Sequence, residues 1–88
     1  MIERTVQIIN NAGLHTRPAA TIVKLAAKFK AEFFINKDGL SINGKSIIGV
    51  MTLAAEKGSK LSMTFDGEDE EKAAEEILNY FNRGFDEL

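Results

Sequence analysis

The sequence predicts an α+β fold in which four strands form one sheet and three helices cover one of its faces, a two-layer open-faced sandwich. Three observations carry this. Four short segments alternate apolar with polar residues, and two longer ones repeat apolar residues at helical spacing. A short apolar stretch, Ile47 to about Ala54, is too apolar for a strand with one buried face. The order is therefore strand, helix, strand, strand, helix, strand, helix, with a hairpin in the middle.

Val6 and Ile8 alternate with Thr5 and Gln7, so Ile2 to Ile9 is the first strand, ended by the turn-like Asn10-Asn11-Ala12-Gly13. Ala19, Ile22, Val23 and Ala26 then recur at helical spacing, which predicts a helix from Thr16 to about Phe29 with Thr16 as its N-cap. Phe33 and Ile35 alternate into Asp38-Gly39, and Leu40 and Ile42 alternate out, giving strands two and three around a tight turn. Ser46 opens the short helix. Leu61, Met63 and Phe65 form the fourth strand, and the last helix runs from about Asp69, with Ala74, Ile77, Leu78, Phe81 and Phe85 as its buried stripe. Thr5, Gln7, Asn36, Ser62 and Thr64 are left on an open, solvated sheet face, where Phe34 is out of place.

The 88 residues, with neither repeat nor linker, predict one domain spanning 1–88. A chain this short has no room for a deep enclosed site, so its chemistry sits near the surface. It contains no cysteine, which excludes disulfides and thiolate chemistry. The N-terminal residues lack the pattern of a secretion signal and no run approaches a membrane span, so a cytoplasmic location without membrane insertion is expected. The net charge of −2 argues against nucleic-acid binding, yet the acidic residues crowd after position 60 and leave the N-terminal part basic, suited to anionic partners. No residue set asks for a cofactor or a metal.

The single histidine stands in Gly13-Leu14-His15-Thr16-Arg17-Pro18. A loop there delivers an imidazole to a helix N-terminus, where unpaired N–H groups and a partial positive charge favour phosphate and disfavour the imidazolium. A neutral imidazole is a nucleophile. Arg17 can fork two hydrogen bonds onto phosphoryl oxygens, and Pro18 fits the first turn because its missing N–H costs nothing there. A surface histidine beside an ordinary capped helix would need only Thr16 and Pro18; the glycine, histidine and arginine have reasons to be present for phosphoryl transfer.

Three stretches, Gly13-Leu14-His15-Thr16-Arg17-Pro18-Ala19-Ala20, Lys45-Ser46-Ile47-Ile48-Gly49-Val50-Met51-Thr52-Leu53 and Glu68-Asp69-Glu70-Glu71, make the whole chain resemble the HPr phosphocarriers of the bacterial phosphoenolpyruvate-dependent phosphotransferase system. The resemblance implies an antiparallel sheet of order 1-4-2-3. It implies that His15 accepts a phosphoryl group on Nδ1 from phospho-enzyme I and donates it to sugar-specific enzyme II A components, with Arg17 helping to hold the group. Such a protein is a carrier, expected as a monomer, and not a free-standing catalyst.

Ser46 before an apolar run is adequately explained as an N-cap. The resemblance adds a regulatory site, phosphorylated by a kinase/phosphorylase and recognised by a transcriptional regulator. Ile47, Ile48 and Met51 exceed what one buried face can take, so some are exposed, with one of the two isoleucines allotted to the core. With Thr16, Ala20, Lys24, Ala27 and Lys45 they form the expected docking surface around His15. An alternative reading is a regulatory binding module governed by phosphorylated Ser46, in which the histidine does not matter.

One rival motif is present. Gly39 to Ser46 matches the phosphate-binding pattern G-x-x-x-x-G-K-S, but Leu40 and Ile42 alternate like a strand where that pattern needs a loop, and the chain is too short for the parallel sheet of a nucleotide hydrolase.

Overall fold

The computed structural model describes residues 1–88. β1 (Ile2–Gln7), β4 (Lys60–Asp66), β2 (Glu32–Lys37) and β3 (Leu40–Asn43) lie side by side in the order β1-β4-β2-β3, every neighbouring pair antiparallel. α1 (Thr16–Ala26), α2 (Ile47–Thr52) and α3 (Glu70–Asn82) complete the open-faced sandwich. Asp38 and Gly39 both have positive φ, 49° and 85°, as the tight turn between β2 and β3 requires.

Register puts the apolar alternation of each strand on one face. Phe33 pairs with Phe65, Ile35 with Met63 and Val6 with Leu61, and these side chains meet Ala19, Ile22 and Ala26 of α1 and Ala74, Ile77 and Phe81 of α3 in one buried cluster. Phe33 and Phe65 stack with ring centroids 4.8 Å apart. Of the residues assigned to the open face, Thr5 and Gln7 are exposed while Asn36, Ser62 and Thr64 are half-buried. Phe34 shares that face, across from Thr64 and Asn43, and is exposed.

Several boundaries differ from the sequence reading. β1 stops at Gln7, though Ile8 continues the pairing through Ser59 and Gly58. α1 stops at Ala26, where the next N–H groups tighten to i−3 acceptors: Lys28 bonds Leu25 and Phe29 bonds Ala26. α2 stops at Thr52, and Ala54 beyond it is left-handed, φ 49°. The stripe of α3 includes Ala73 and Tyr80, whereas Leu78 is only half-buried; Phe85 is buried but lies past the helix. Neither Ile47 nor Ile48 enters the core, because α2 anchors through Val50, with Leu53 just beyond it.

The P-loop reading ends on where the backbone N–H groups of Gly39–Ser46 go. Gly44 donates to the Phe33 carbonyl at 2.7 Å, Lys45 to Asn43 Oδ1 at 2.9 Å and Ser46 to the Asn43 carbonyl at 3.0 Å. Amides so engaged make no phosphate cradle.

α3 is tied to the α1–β2 connection by Asp69, its N-cap, whose carboxylate accepts from the N–H groups of Lys30 (2.8 Å) and Ala31 (2.9 Å) and not from its own helix. The Lys30 bond is the main reason this carboxyl titrates below the usual aspartate range; partial desolvation opposes it, and Ala31 and the Lys45 charge assist. Glu70 is also lowered, chiefly by the N–H of Gly67 and then by the α-amino group of Met1. Depressed carboxyls stabilise the fold fully above their unfolded-state values, and that contribution is lost as pH falls through the folded ones. Acid unfolding of Asp69→Asn, followed by circular dichroism, is therefore expected to show a shallower loss of stability below about pH 4 than the parent. An unchanged slope would remove Asp69 from that role.

Candidate functional site

The loop between β1 and α1 is shaped by Gly13. It has φ 72°, and a Cβ there would lie 2.7 Å from the Ala55 carbonyl oxygen, so no side chain fits. Leu14 donates its N–H to that same carbonyl at 2.9 Å and buries its side chain. Asn10, almost fully buried, fastens the loop from within, donating from Nδ2 to the Gly13 carbonyl at 2.9 Å. The chain is thereby delivered to His15 in extended conformation, φ −98° and ψ −171°.

His15 itself is the N-cap of α1, and Thr16 is the first helical residue. The helix starts one residue earlier than the serine/threonine preference suggested, because the His15 carbonyl already accepts the Ala19 N–H at 3.0 Å. No side chain caps this end. Helix geometry leaves the N–H groups of Thr16 and Arg17 without intrahelical acceptors, and Pro18 has none to satisfy. Arg17 and Thr16 are exposed beside them.

The imidazole is 41% exposed, and its Nε2 lies 2.6 Å from Oε2 of Glu87, a residue 72 positions away. The other carboxylate oxygen of Glu87 accepts from Asn10 Nδ2 at 2.7 Å. Partial desolvation pushes the Glu87 carboxyl up, but the hydrogen bonds from His15 and Asn10, with the charges of His15 and Arg17, outweigh it and hold the carboxyl below its ordinary range. An acceptor at Nε2 fixes the proton of a neutral ring there, which leaves the lone pair on Nδ1.

Glu87 reaches this place through a short turn, Gly84–Asp86, in which three successive residues are left-handed, with φ of 62°, 58° and 61°. Left-handed backbone costs roughly 1–2 kcal/mol at each residue bearing a side chain. Packing offsets it: Phe85 is buried against Tyr80 and Phe81, with centroids 5.2 and 5.0 Å away, and Arg83 Nε pairs with Asp86 Oδ1 at 2.7 Å.

Beside His15, Thr16, Ile47, Ile48, Met51 and Thr52 line a shallow, mostly apolar depression. Ile48 is 78% exposed, Ile47 and Met51 about half that. Ala20, Lys24 and Ala27 are exposed on α1. Lys45 is brought less into the open than the sequence suggested: its Nζ donates to the Phe29 carbonyl at 2.7 Å, past the end of α1, and it is half-buried. Ser46 caps α2, its Oγ accepting the Gly49 N–H at 3.2 Å. Asn10, Thr52 and Glu87 were not singled out from the sequence. Asn10 looked like a turn residue, and nothing local ties Glu87 to position 15.

The fold and the site define a small protein that works at its surface: one open imidazole over an uncapped helix N-terminus, with an apolar patch next to it. No helix is long and apolar enough to cross a membrane. Residues 2–83 match the family described as the PTS HPr component phosphorylation site. The chain is 41% identical over 87 residues to the phosphocarrier protein HPr of Treponema pallidum, covering 99% of each chain. Its structure superimposes on HPr from Thermoanaerobacter tengcongensis with TM-score 0.95 at 38% identity, covering 100% of this chain and 99% of that one. It is also similar to the catabolite-repression protein Crh of Bacillus subtilis, described as a domain-swapped dimer, with TM-score 0.76, 37% identity and coverage of 96% and 97%. The chain belongs to the HPr family, the phosphocarrier proteins of the phosphotransferase system. The expected sheet order, 1-4-2-3, is the one observed. A dimer among the solved relatives leaves the monomer expectation without support.

Proposed function

We propose that His15 carries the phosphoryl group, accepting it on Nδ1 from phospho-enzyme I and passing it to enzyme II A components in the cytoplasm. The observation that supports this reading above all is the pairing of Nε2 with Glu87, which leaves Nδ1 as the nucleophilic nitrogen at an uncapped helix end. The Thr16 and Arg17 amides and the Arg17 guanidinium are the groups that meet phosphoryl oxygens, and they match charge that grows in the transition state. The protein supplies a nucleophile and its surroundings; the partner supplies the rest of each reaction. A single domain of residues 1–88 suffices for this.

Thr16, Ala20, Lys24, Ala27, Ile47, Ile48 and Met51 form the docking face, with Lys45 holding the α1 end of it in place. A shallow apolar patch with a basic fringe suits partners that must release the carrier quickly. Incubation with enzyme I and phosphoenolpyruvate, then with an enzyme II A domain, tests the reading. The expected result is one acid-labile phosphate per chain that moves on to the acceptor; no incorporation would defeat it.

The likeness to Crh favours a second reading, regulation through Ser46, recognised by a kinase/phosphorylase and a transcriptional regulator. A phosphate at Ser46 would sit at the start of α2, where its charge is tolerated, beside the apolar patch, where partners are affected. Ser46→Asp is expected to slow phosphorylation of His15 about tenfold by weakening docking by about 1.4 kcal/mol, with an unchanged circular dichroism spectrum. Equal rates in stopped-flow transfer would dismiss Ser46 as a control point.

A further inference from the structure

We propose that Glu87 is a positioning residue for His15: by holding the proton on Nε2, it lets the ring take up and release a phosphoryl group at Nδ1 without moving a proton of its own. The inference rests on the carrier role proposed above.

The Nδ1 lone pair forms the N–P bond while the donor's bond to phosphorus breaks and its electron pair leaves with the donor. The ring, which keeps its Nε2 proton, becomes a phosphoimidazolium. Its positive charge would face the Glu87 carboxylate, whose Oε2 lies 2.6 Å from Nε2 of the unphosphorylated ring. In the outward step a nucleophile on the acceptor attacks phosphorus, and the N–P pair returns to the ring as neutral imidazole with the proton still on Nε2. Without a carboxylate there, loss of that proton would leave a neutral N-phosphoimidazole whose departing ring is an anion and a poor leaving group.

Two further observations point the same way. Glu87 is gripped on both oxygens, by His15 and by the buried Asn10, which sets the orientation of its carboxylate. The turn that delivers it runs through three consecutive left-handed residues, two of them with side chains, and strain of this kind collects where a group must be placed for function. The chain reaches the ring by a costly route and anchors Phe85 to do so.

The test compares the parent protein with Glu87→Ala and Glu87→Gln. In unphosphorylated protein, ¹⁵N spectra of the neutral His15 ring are expected to show a single tautomer with a slowly exchanging Nε2–H. Glu87→Gln keeps an acceptor oxygen and should keep that signal; Glu87→Ala should lose it to exchange with water. Transfer from phosphorylated protein to an enzyme II A domain should slow about 10–100-fold in Glu87→Ala, by analogy with the carboxylates that orient metal-bound histidines, with Glu87→Gln in between. Melting curves separate placement from mere support: a latch that only stabilises the fold would lower the melting midpoint and leave both the ring signal and the rate unchanged. That outcome, or an unaltered tautomer signature in Glu87→Ala, overturns the proposal. Because the ring spectra need no phosphate, a chain that never accepts one would defeat the carrier reading and still leave Glu87 decided by the tautomer.

Discussion

Arg17→Ala is expected to slow phosphorylation of His15 by about 100-fold or more, the loss typical when one fixed donor aimed at developing negative charge is removed. The guanidinium is exposed at the start of α1, so the fold has little to lose by its removal. Its charge helps to hold the carboxyl of Glu87, the partner of the imidazole, ionised. Lysine in its place keeps the charge but not the planar fork, so Arg17→Lys should recover only part of the rate. Quench-flow transfer from phospho-enzyme I measures both. Rates for Arg17→Ala within a factor of about three of the parent would mean that helix amides alone receive the phosphoryl group.

Phe65→Ala is expected to lower the unfolding free energy by about 3–5 kcal/mol, read from urea unfolding followed by circular dichroism. Phe65 is fully buried in β4, stacked on Phe33 and flanked in register by Ile2 and Phe33. The cavity cannot readily collapse, because the Phe33 ring is already packed closely against Gly44, where even a Cβ would come within 2.3 Å of two ring atoms. Small domains are stable by about 5–15 kcal/mol, so this one change removes a large share. The melting midpoint should fall by at least about 12 °C in a domain of this size. A loss under about 1 kcal/mol would mean that the stacked pair is not the centre of the core.

A feature is legible in this sequence to the extent that it is local. Strand alternation at Phe33, Ile35, Leu61, Met63 and Phe65 is a period-two signal, and it placed the core face correctly. The Asp38-Gly39 turn was legible for the same reason, since its positive φ angles depend on two adjacent residues. Order 1-4-2-3 came from likeness to a family; pairing of β1 with β4 joins residues more than fifty positions apart, and no local pattern encodes it. The cap of α1 was misplaced by one residue because the general preference for threonine does not decide where the first turn closes, and His15, extended and without a side-chain cap bond, already supplies the first helical carbonyl. His15, Arg17 and Ser46 could be picked out from their neighbours. Glu87 could not, since it arrives by a left-handed turn that follows Asn82 and only tertiary packing on Phe85 explains. The allotment of one isoleucine of α2 to the core failed because a six-residue helix is held by Val50, which leaves both of its first residues outside.

In the proposed reading the ring of His15 is the phosphate carrier and Nδ1 is the atom used. Transfer from phosphoenolpyruvate through enzyme I to ¹⁵N-labelled protein, read by ³¹P–¹⁵N coupling, addresses both at once. A single phosphoramidate coupled to Nδ1 of His15 is expected, absent in His15→Ala. Phosphate that persists in His15→Ala, or a coupling to Nε2, would contradict it.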